Sequence, residues 1–230
     1  DPIIVVSENT RKDLIKDFKI DTKKTRKVLH GIDHETFQPI PSIKRKATQL
    51  ITTASADVPL KGLIYLIRAY AGLLKEFPDL KLIVIGRLRE GPTEKELKKE
   101  GIKEKVKFVS NLTGRQIAEL YAESTIAVSP SVYEGFGFPA GEAMSCGIPL
   151  VSTNGGSLPE VVGDAGIIVP HSDPKALKDA IKSLLNSPET RIEFGKKGRR
   201  RVLENFTWSR AAKELVEVYR EAIENANNRP

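Results

Sequence analysis

The stretch Ser129-Pro130-Ser131-Val132-Tyr133-Glu134-Gly135-Phe136-Gly137-Phe138-Pro139-Ala140-Gly141-Glu142-Ala143-Met144 decides the fold. Just before it, residues 125–128 are β-branched or small and apolar, the pattern of a short buried strand. Just after its glycines, Pro139 opens a helix predicted over about 139–145, which Gly147 and Pro149 stop. A buried strand, a glycine-rich loop and a helix in that order make one β-α unit of a parallel sheet. In such sheets ligands bind beyond the carboxyl ends of the strands, where this loop lies.

The same alternation extends outward in both directions. Residues 3–6 read as a strand, with Ser7, Asn9 and Thr10 as candidate helix caps after it. Val28-Leu29 reads as a second short extended segment, and residues 50–53 as a strand. From Gly62 to Phe77 the apolar residues Leu63, Ile67, Tyr70, Leu74 and Phe77 fall on one helical face, with Pro78 just beyond. Residues 82–85, 106–109, 150–152 and 167–169 read as further strands. Helices are predicted over 93–100 behind Pro92, from a Thr113 cap through Glu123, and from an Asp173-Pro174 start to about Leu185, and two more helical segments close the chain. Continuous apolar strands between amphipathic helices predict a doubly wound, Rossmann-like parallel α/β sheet covered on both faces.

Within the deciding stretch, Gly135 and Gly137 allow a backbone to approach a ligand closely. The helix start near Pro139 offers free N–H groups and a positive dipole end, suited to phosphate. Glu134 and Glu142 bracket the turn. A carboxylate beside phosphate needs donors, and a vicinal diol supplies two hydrogen bonds to it. Phosphate between two sugars describes a nucleoside-diphosphate sugar. The plainer alternative is a tight Gly-x-Gly turn with two solvated acids. Upstream, Lys61 before Gly62 stands at a second strand-to-helix turn, where a point charge meets a diphosphate or simply lies exposed. Downstream, Ser152-Thr153-Asn154-Gly155-Gly156-Ser157-Leu158-Pro159-Glu160 is a third such turn, and three turns make a crevice.

Composition sets outer bounds. The chain has 230 residues, 40% hydrophobic and 29% charged, which is ordinary for a globular domain with a substantial core. No apolar run approaches the ~20 residues of a membrane span. Residues 3–6 are too short for a secretory apolar region. A single cysteine, Cys146, excludes an internal disulfide and fits a cytoplasmic location. The net charge of +7 draws on two basic knots, Lys44-Arg45-Lys46 and Lys196-Lys197 with Arg199-Arg200-Arg201. Neither knot interleaves with stacking aromatics, so nucleic acid is not the expected partner. The knots read as solvated helix faces, with peripheral contact to an anionic membrane at its inner face as the functional alternative.

Taken together these segments resemble the C-terminal half of the large retaining glycosyltransferase family of the GT-B fold, which includes sucrose-phosphate synthases, glycogen synthases and many mannosyltransferases. Gly31-Ile32-Asp33 with Phe37-Gln38-Pro39 is similar to the family's interdomain segment. Lys61-Gly62 is similar to its diphosphate-binding pair, Glu134 and Glu142 to its paired glutamates, and Glu142-Ala143-Met144 with Cys146-Gly147 and Pro149 to the helix that follows. The resemblance implies that Glu142 accepts from ribose hydroxyls and Glu134 from the transferred sugar. It implies that backbone N–H groups of Phe136, Gly137 and Phe138 meet the donor, and that Lys61 stabilises the departing diphosphate. Gly135, Gly155 and Gly156 would line the donor, and Arg87 is a candidate phosphate contact. No cofactor and no metal are expected: the chain has no Asp-x-Asp motif, and the fold resembled usually works without one.

The family also carries Gly-Arg-Leu shortly before Lys-Gly, and Ser55-Ala56-Asp57 stands there instead, so an expected phosphate-binding arginine is alanine. This departure keeps a catalytically silent partner subunit as an alternative. The implied organisation is a last β-α portion of an absent N-terminal acceptor domain over 1–30, a linker over 31–46, the nucleotide-sugar domain over 47–205, and a C-terminal helix crossing back over 206–230. On that reading this chain binds donor but does not turn over alone. A dinucleotide oxidoreductase is disfavoured, because Gly135, Gly137 and Gly141 miss the G-x-G-x-x-G spacing by one residue. His30, His34 and His171 are scattered, Cys146 reads as a small buried hydrophobe, and Phe206 with Trp208 as the anchor of the last helix.

Overall fold

The structure, a computed structural model, describes residues 2–54 and 58–227. The alanine-for-arginine position, Ala56, lies outside the described residues. A small parallel unit comes first: β1 (Ile3–Val5), α1 (Glu8–Phe18) and β2 (Thr25–Lys27). The second extended segment thus begins earlier than Val28-Leu29. Pairing with β1 sets its register, and Val28 only extends that ladder by donating to the Val5 carbonyl at 2.9 Å.

The remaining strands form one sheet: β3 (Gln49–Thr53), β4 (Lys81–Ile85), β5 (Val106–Val109), β6 (Ile126–Ser129), β7 (Leu150–Thr153) and β8 (Ile167–Val169). Their spatial order is β5-β4-β3-β6-β7-β8, and every adjacent pair is parallel. The chain builds outward from β3 through β4 to β5, then returns to lay β6 on the other side of β3. The topological switch therefore falls between β3 and β6, where this architecture places ligands.

Eight helices follow α1: α2 (Leu63–Leu74), α3 (Pro92–Lys99), α4 (Gly114–Glu123), α5 (Phe138–Ser145), α6 (Leu158–Val162), α7 (Pro174–Leu185), α8 (Pro188–Asn205) and α9 (Trp208–Asn227). Strand alternation sorts them into two layers. Leu50, Leu82 and Val84 point into one core with Leu66, Ile67 and Tyr70 of α2, Leu97 of α3 and Ile181 of α7. Ile51, Ile83 and Ala127 point into the other with Tyr121 of α4, Met144 of α5, Val161 of α6 and Val202 of α8. The doubly wound sheet expected from the alternation is the one observed. Among the described residues no helix is long and apolar enough to cross a membrane.

Caps fall where the polar residues allow. Ser7 accepts from the Thr10 N–H, Asp173 from Ala176, and Thr113 forms a reciprocal capping box with Gln116. In the first core, the fully buried Tyr70 hydroxyl faces the carbonyls of Leu80 at 2.6 Å and Lys105 at 3.0 Å. Tyr70→Phe leaves both without this donor, and about 1–3 kcal/mol of stability is expected to go, read as a melting temperature a few degrees lower. An unchanged melting temperature would mean that the hydroxyl contributes nothing net.

Two expectations about side chains need correction. The second basic knot is not one solvated face. Arg199 donates to the carbonyls of His34, Phe37 and Ser145 at 3.0–3.1 Å, and Arg201 donates to the carbonyls of Glu160 and Val161 at 2.8 Å. Each guanidinium donates to backbone carbonyls at helix ends and in the irregular segment, which draws it inward. Through Arg199 the irregular segment 31–46, whose Ile32 and Phe37 are buried, is pinned to the end of α5. The other correction concerns α9. Phe206 is 2% exposed and does anchor its start, but Trp208 is 52% exposed, with its backbone and ring base closing on Gly31. Cys146 is buried as expected, and burial pushes its thiol up to about 12.

Candidate functional site

Three strand-to-helix turns meet at the switch between β3 and β6. After β3, a single 3-10 turn (Pro59–Lys61) ends at Gly62, which adopts a left-handed conformation with φ of 61°. A Cβ there would stand 2.0 Å from the Pro130 carbonyl oxygen, so only glycine lets the two turns touch. Val132 N–H donates to the Leu60 carbonyl at 2.8 Å and fastens the first turn to the second. After β7 the third turn clamps the second from beneath. Thr153 Oγ1 donates to the Ser131 carbonyl, and Ser157 donates from its N–H and its hydroxyl to the Glu134 carbonyl at 2.9 and 3.0 Å.

This clamp brings Lys61 and Glu134 together across 73 residues of chain. Lys61 Nζ donates to Glu134 Oε1 at 2.8 Å and Oε2 at 3.1 Å, and Ser131 Oγ donates to Oε1 at 2.7 Å. The Glu134 side chain is only 13% exposed. Glu134 is therefore not a freely solvated acid. Glu142, in the second turn of α5, is half-buried and has no hydrogen bond or ion pair to its carboxylate among the described residues. Burial pushes it up to about 7. Tyr121 stands near it, its own hydroxyl held between Thr53 Oγ1 at 3.2 Å and the Pro139 carbonyl at 3.3 Å.

Between these acids the backbone is unusually rich in free donors. Among the described residues, the N–H groups of Glu134, Gly135, Phe136, Gly137 and Phe138 have no acceptor. Five consecutive donors, ending at the start of α5, form a cradle for an anion. Gly137 is required inside the chain, by a φ of 103° and by Leu158 Cδ2 at 2.8 Å from an added Cβ. Gly135 is not: an added Cβ meets nothing within 4 Å.

The other expected residues take different places. Gly155 and Gly156 lie beneath the loop, where an added Cβ would sit 2.4 Å from the Ser131 carbonyl oxygen and 2.3 Å from that of Glu134. Their need for glycine is thus met by packing that holds Glu134. Arg87, after β4, donates to Asn111 Oδ1 at 2.8 Å and Ser110 Oγ at 3.4 Å, joined to the turn after β5 rather than to the Lys61–Glu134 pair. Sequence reasoning missed Ser131 and Ser157, the direct supports of Glu134. Short polar residues in a turn are too common for spacing to single them out.

The small N-terminal unit closes over this loop. Glu160 accepts from the N–H groups of Glu8 and Asn9, both at 2.8 Å, and so binds the start of α1. Tyr133 hydroxyl donates to Asp13 at 2.6 Å, and Thr10 hydroxyl to the Gly135 carbonyl at 3.4 Å. His30 packs edge-on to Phe136 with ring centroids 5.2 Å apart, and burial lowers its basicity.

The family model for group 1 glycosyl transferases matches residues 35–201. An MMP alpha-(1->4)-mannosyltransferase of Mycolicibacterium hassiacum is 39% identical over 225 residues, covering 96% of this chain and 54% of that protein. A D-inositol 3-phosphate glycosyltransferase of Corynebacterium kroppenstedtii is 30% identical over 243 residues, covering 97% and 54%. Among solved structures, sucrose-phosphate synthase from Thermosynechococcus elongatus superposes with a TM-score of 0.86 at 26% identity, over 98% of this chain and 59% of that one. Anabaena HepE in complex with UDP and glucose superposes at 0.84 with 20% identity, over 95% and 62%, a likeness of fold. The chain spans about half the length of the curated relatives it matches.

Proposed function

The chain belongs to the group 1 glycosyltransferases, and from that premise we propose that it is the donor-binding half of a retaining enzyme that transfers a hexose from a nucleoside-diphosphate sugar. The observation that carries this reading is the Lys61–Glu134 ion pair at the switch crevice, beside five unpaired backbone donors. A donor that brings phosphate to Lys61 and hydroxyls to Glu134 exchanges one ion pair for two sets of charged contacts. Fixed N–H groups and the start of α5 face the same place and would stabilise the charge developing on the leaving diphosphate. Glu134 and Lys61 would serve the reacting end and Glu142 the ribose.

An acceptor domain would complete the active site above α1 and the loop it covers. Val216, Tyr219 and Ile223 share one face of α9 and are 45%, 54% and 61% exposed, an apolar surface for that domain to cover. On this reading the chain alone binds donor without turnover, in a metal-independent site.

Titration by calorimetry with UDP, GDP and ADP, and then with their hexose conjugates, tests the proposal. One diphosphate should bind in the micromolar to low-millimolar range. Binding should tighten about tenfold between pH 6 and pH 8. The sign follows from Glu142: with the free group at about 7, roughly one molecule in eleven carries the accepting carboxylate at pH 6 and ten in eleven at pH 8. Glu142→Gln should bind more weakly and without this pH dependence. No diphosphate bound at either pH, on a chain that unfolds cooperatively, would overturn the reading. The same shift lowers the stability of the free chain as pH rises from 4.5 toward 7, because the folded state then holds a proton that the unfolded chain releases.

A further inference from the structure

The donor site lies at the start of α5, and a second concavity lies at its other end. It encloses about 670 Å³ beside Cys146 and Gly147. Eight residues of α5 separate the two, about 12 Å of helix. The floor is tight: an added Cβ on Gly195 of α8 would sit 2.4 Å from the Gly147 carbonyl oxygen. Around this floor stand Arg45, Arg191, Lys196 and Arg200, none with an ion-pair partner among the described residues. Arg191 donates to the carbonyls of Leu184 and Leu185 and is held in place, while Lys196 and Arg200 point outward on α8. The one carboxylate at the edge, Glu204, pairs with none of them. Burial and the neighbouring Arg191 both lower the basicity of Arg45, as expected for like charges crowded together.

The same stripe of α8 carries large apolar side chains in water. Ile192 is 60% exposed and Leu203 is 42% exposed, four positions before Lys196 and three after Arg200 on one face of the helix. The neighbouring Lys197, by contrast, has a carboxylate partner in Glu193. Four cations without partners beside exposed apolar residues match an anionic surface with an apolar layer under it.

We propose that this face docks the chain onto an acidic phospholipid bilayer, with a headgroup phosphate in the concavity between Arg45, Arg191, Lys196 and Arg200 and with Ile192 and Leu203 entering the interface. The bilayer would lie at the amino ends of the strands and leave the crevice at their carboxyl ends open. Each cation at such a surface raises partitioning about fivefold.

Co-sedimentation of the whole chain with vesicles tests this. Vesicles with about one third phosphatidylglycerol in phosphatidylcholine should bind it, pure phosphatidylcholine should not, and the binding should fall with salt. Lys196→Glu with Arg200→Glu should reduce partitioning at least about thirtyfold, the effect of two lost cations, and Ile192→Ser should reduce it further. Lys12→Glu with Lys16→Glu on α1 carries the same charge change away from the concavity. Equal loss from that control pair, or equal binding to neutral vesicles, would overturn the proposal, as would binding to neither vesicle. Retained melting temperatures identify the loss as one of docking rather than folding.

Discussion

Lys61→Ala is expected to weaken binding of a nucleoside diphosphate at least a hundredfold while leaving binding of the bare nucleoside unchanged. Two effects add. The ammonium that meets the phosphates is gone, a loss of about 1.5–3 kcal/mol for one charged hydrogen bond. The carboxylate of Glu134 also loses its cation, since Lys61 Nζ holds both of its oxygens at 2.8 and 3.1 Å and only the Ser131 hydroxyl remains. A phosphate arriving about 5 Å from that unpaired charge is repelled by up to about 3 kcal/mol at a near-surface effective dielectric constant of 20. Together these exceed the roughly 2.7 kcal/mol that a hundredfold change represents.

The second effect is separable. In Lys61→Ala with Glu134→Gln the repulsion disappears, so the double variant should bind diphosphate about tenfold more tightly than Lys61→Ala alone. Calorimetry on the three proteins measures the coupling directly. A single variant within threefold of the parent would show that the diphosphate does not approach Lys61.

The fold was legible because its evidence is repeated. Each apolar run from residues 82–85 to 167–169 ends at glycine, proline or polar residues and is followed by a helical face, and that alternation admits few arrangements other than a parallel sheet. The ends of elements were less legible: β2 begins at Thr25 because it pairs with β1, a contact no local pattern announces. The candidate site was legible only as residue types at strand ends. Lys61 and Glu134 stand in different turns, and nothing in either segment says that one holds the other. That contact follows from β6 returning beside β3, a fact of topology. Arg199 and Arg201 show the opposite failure. Read as letters, they belong to a basic run, and only the carbonyls at the end of α5 and in the last turn of α6 explain why they turn inward.

Gly156 and Gly135 make the sharpest contrast between scaffold and proposed ligand surface. In Gly156→Ala the new Cβ would lie 2.3 Å from the Glu134 carbonyl oxygen and 2.9 Å from its nitrogen, at a φ of 60° that L residues avoid. The left-handed backbone costs about 1–2 kcal/mol. Relief of the clash must move Glu134 and so break bonds from Ser157 N–H and Oγ, each contributing about 1 kcal/mol. A loss of about 3–4 kcal/mol is expected, seen as a melting temperature lower by about 10 °C. Gly135→Ala, only 21 positions earlier, meets nothing within 4 Å and has no left-handed strain, so its melting temperature should stay within about 1–2 °C of the parent. If the donor lies against this part of the loop, the added methyl group stands in its way, and diphosphate binding should fall about tenfold or more. A stable Gly135→Ala that still binds at full strength would mean that the donor approaches from another side of the loop. A destabilised one would mean that Gly135 answers to the fold, as Gly156 does.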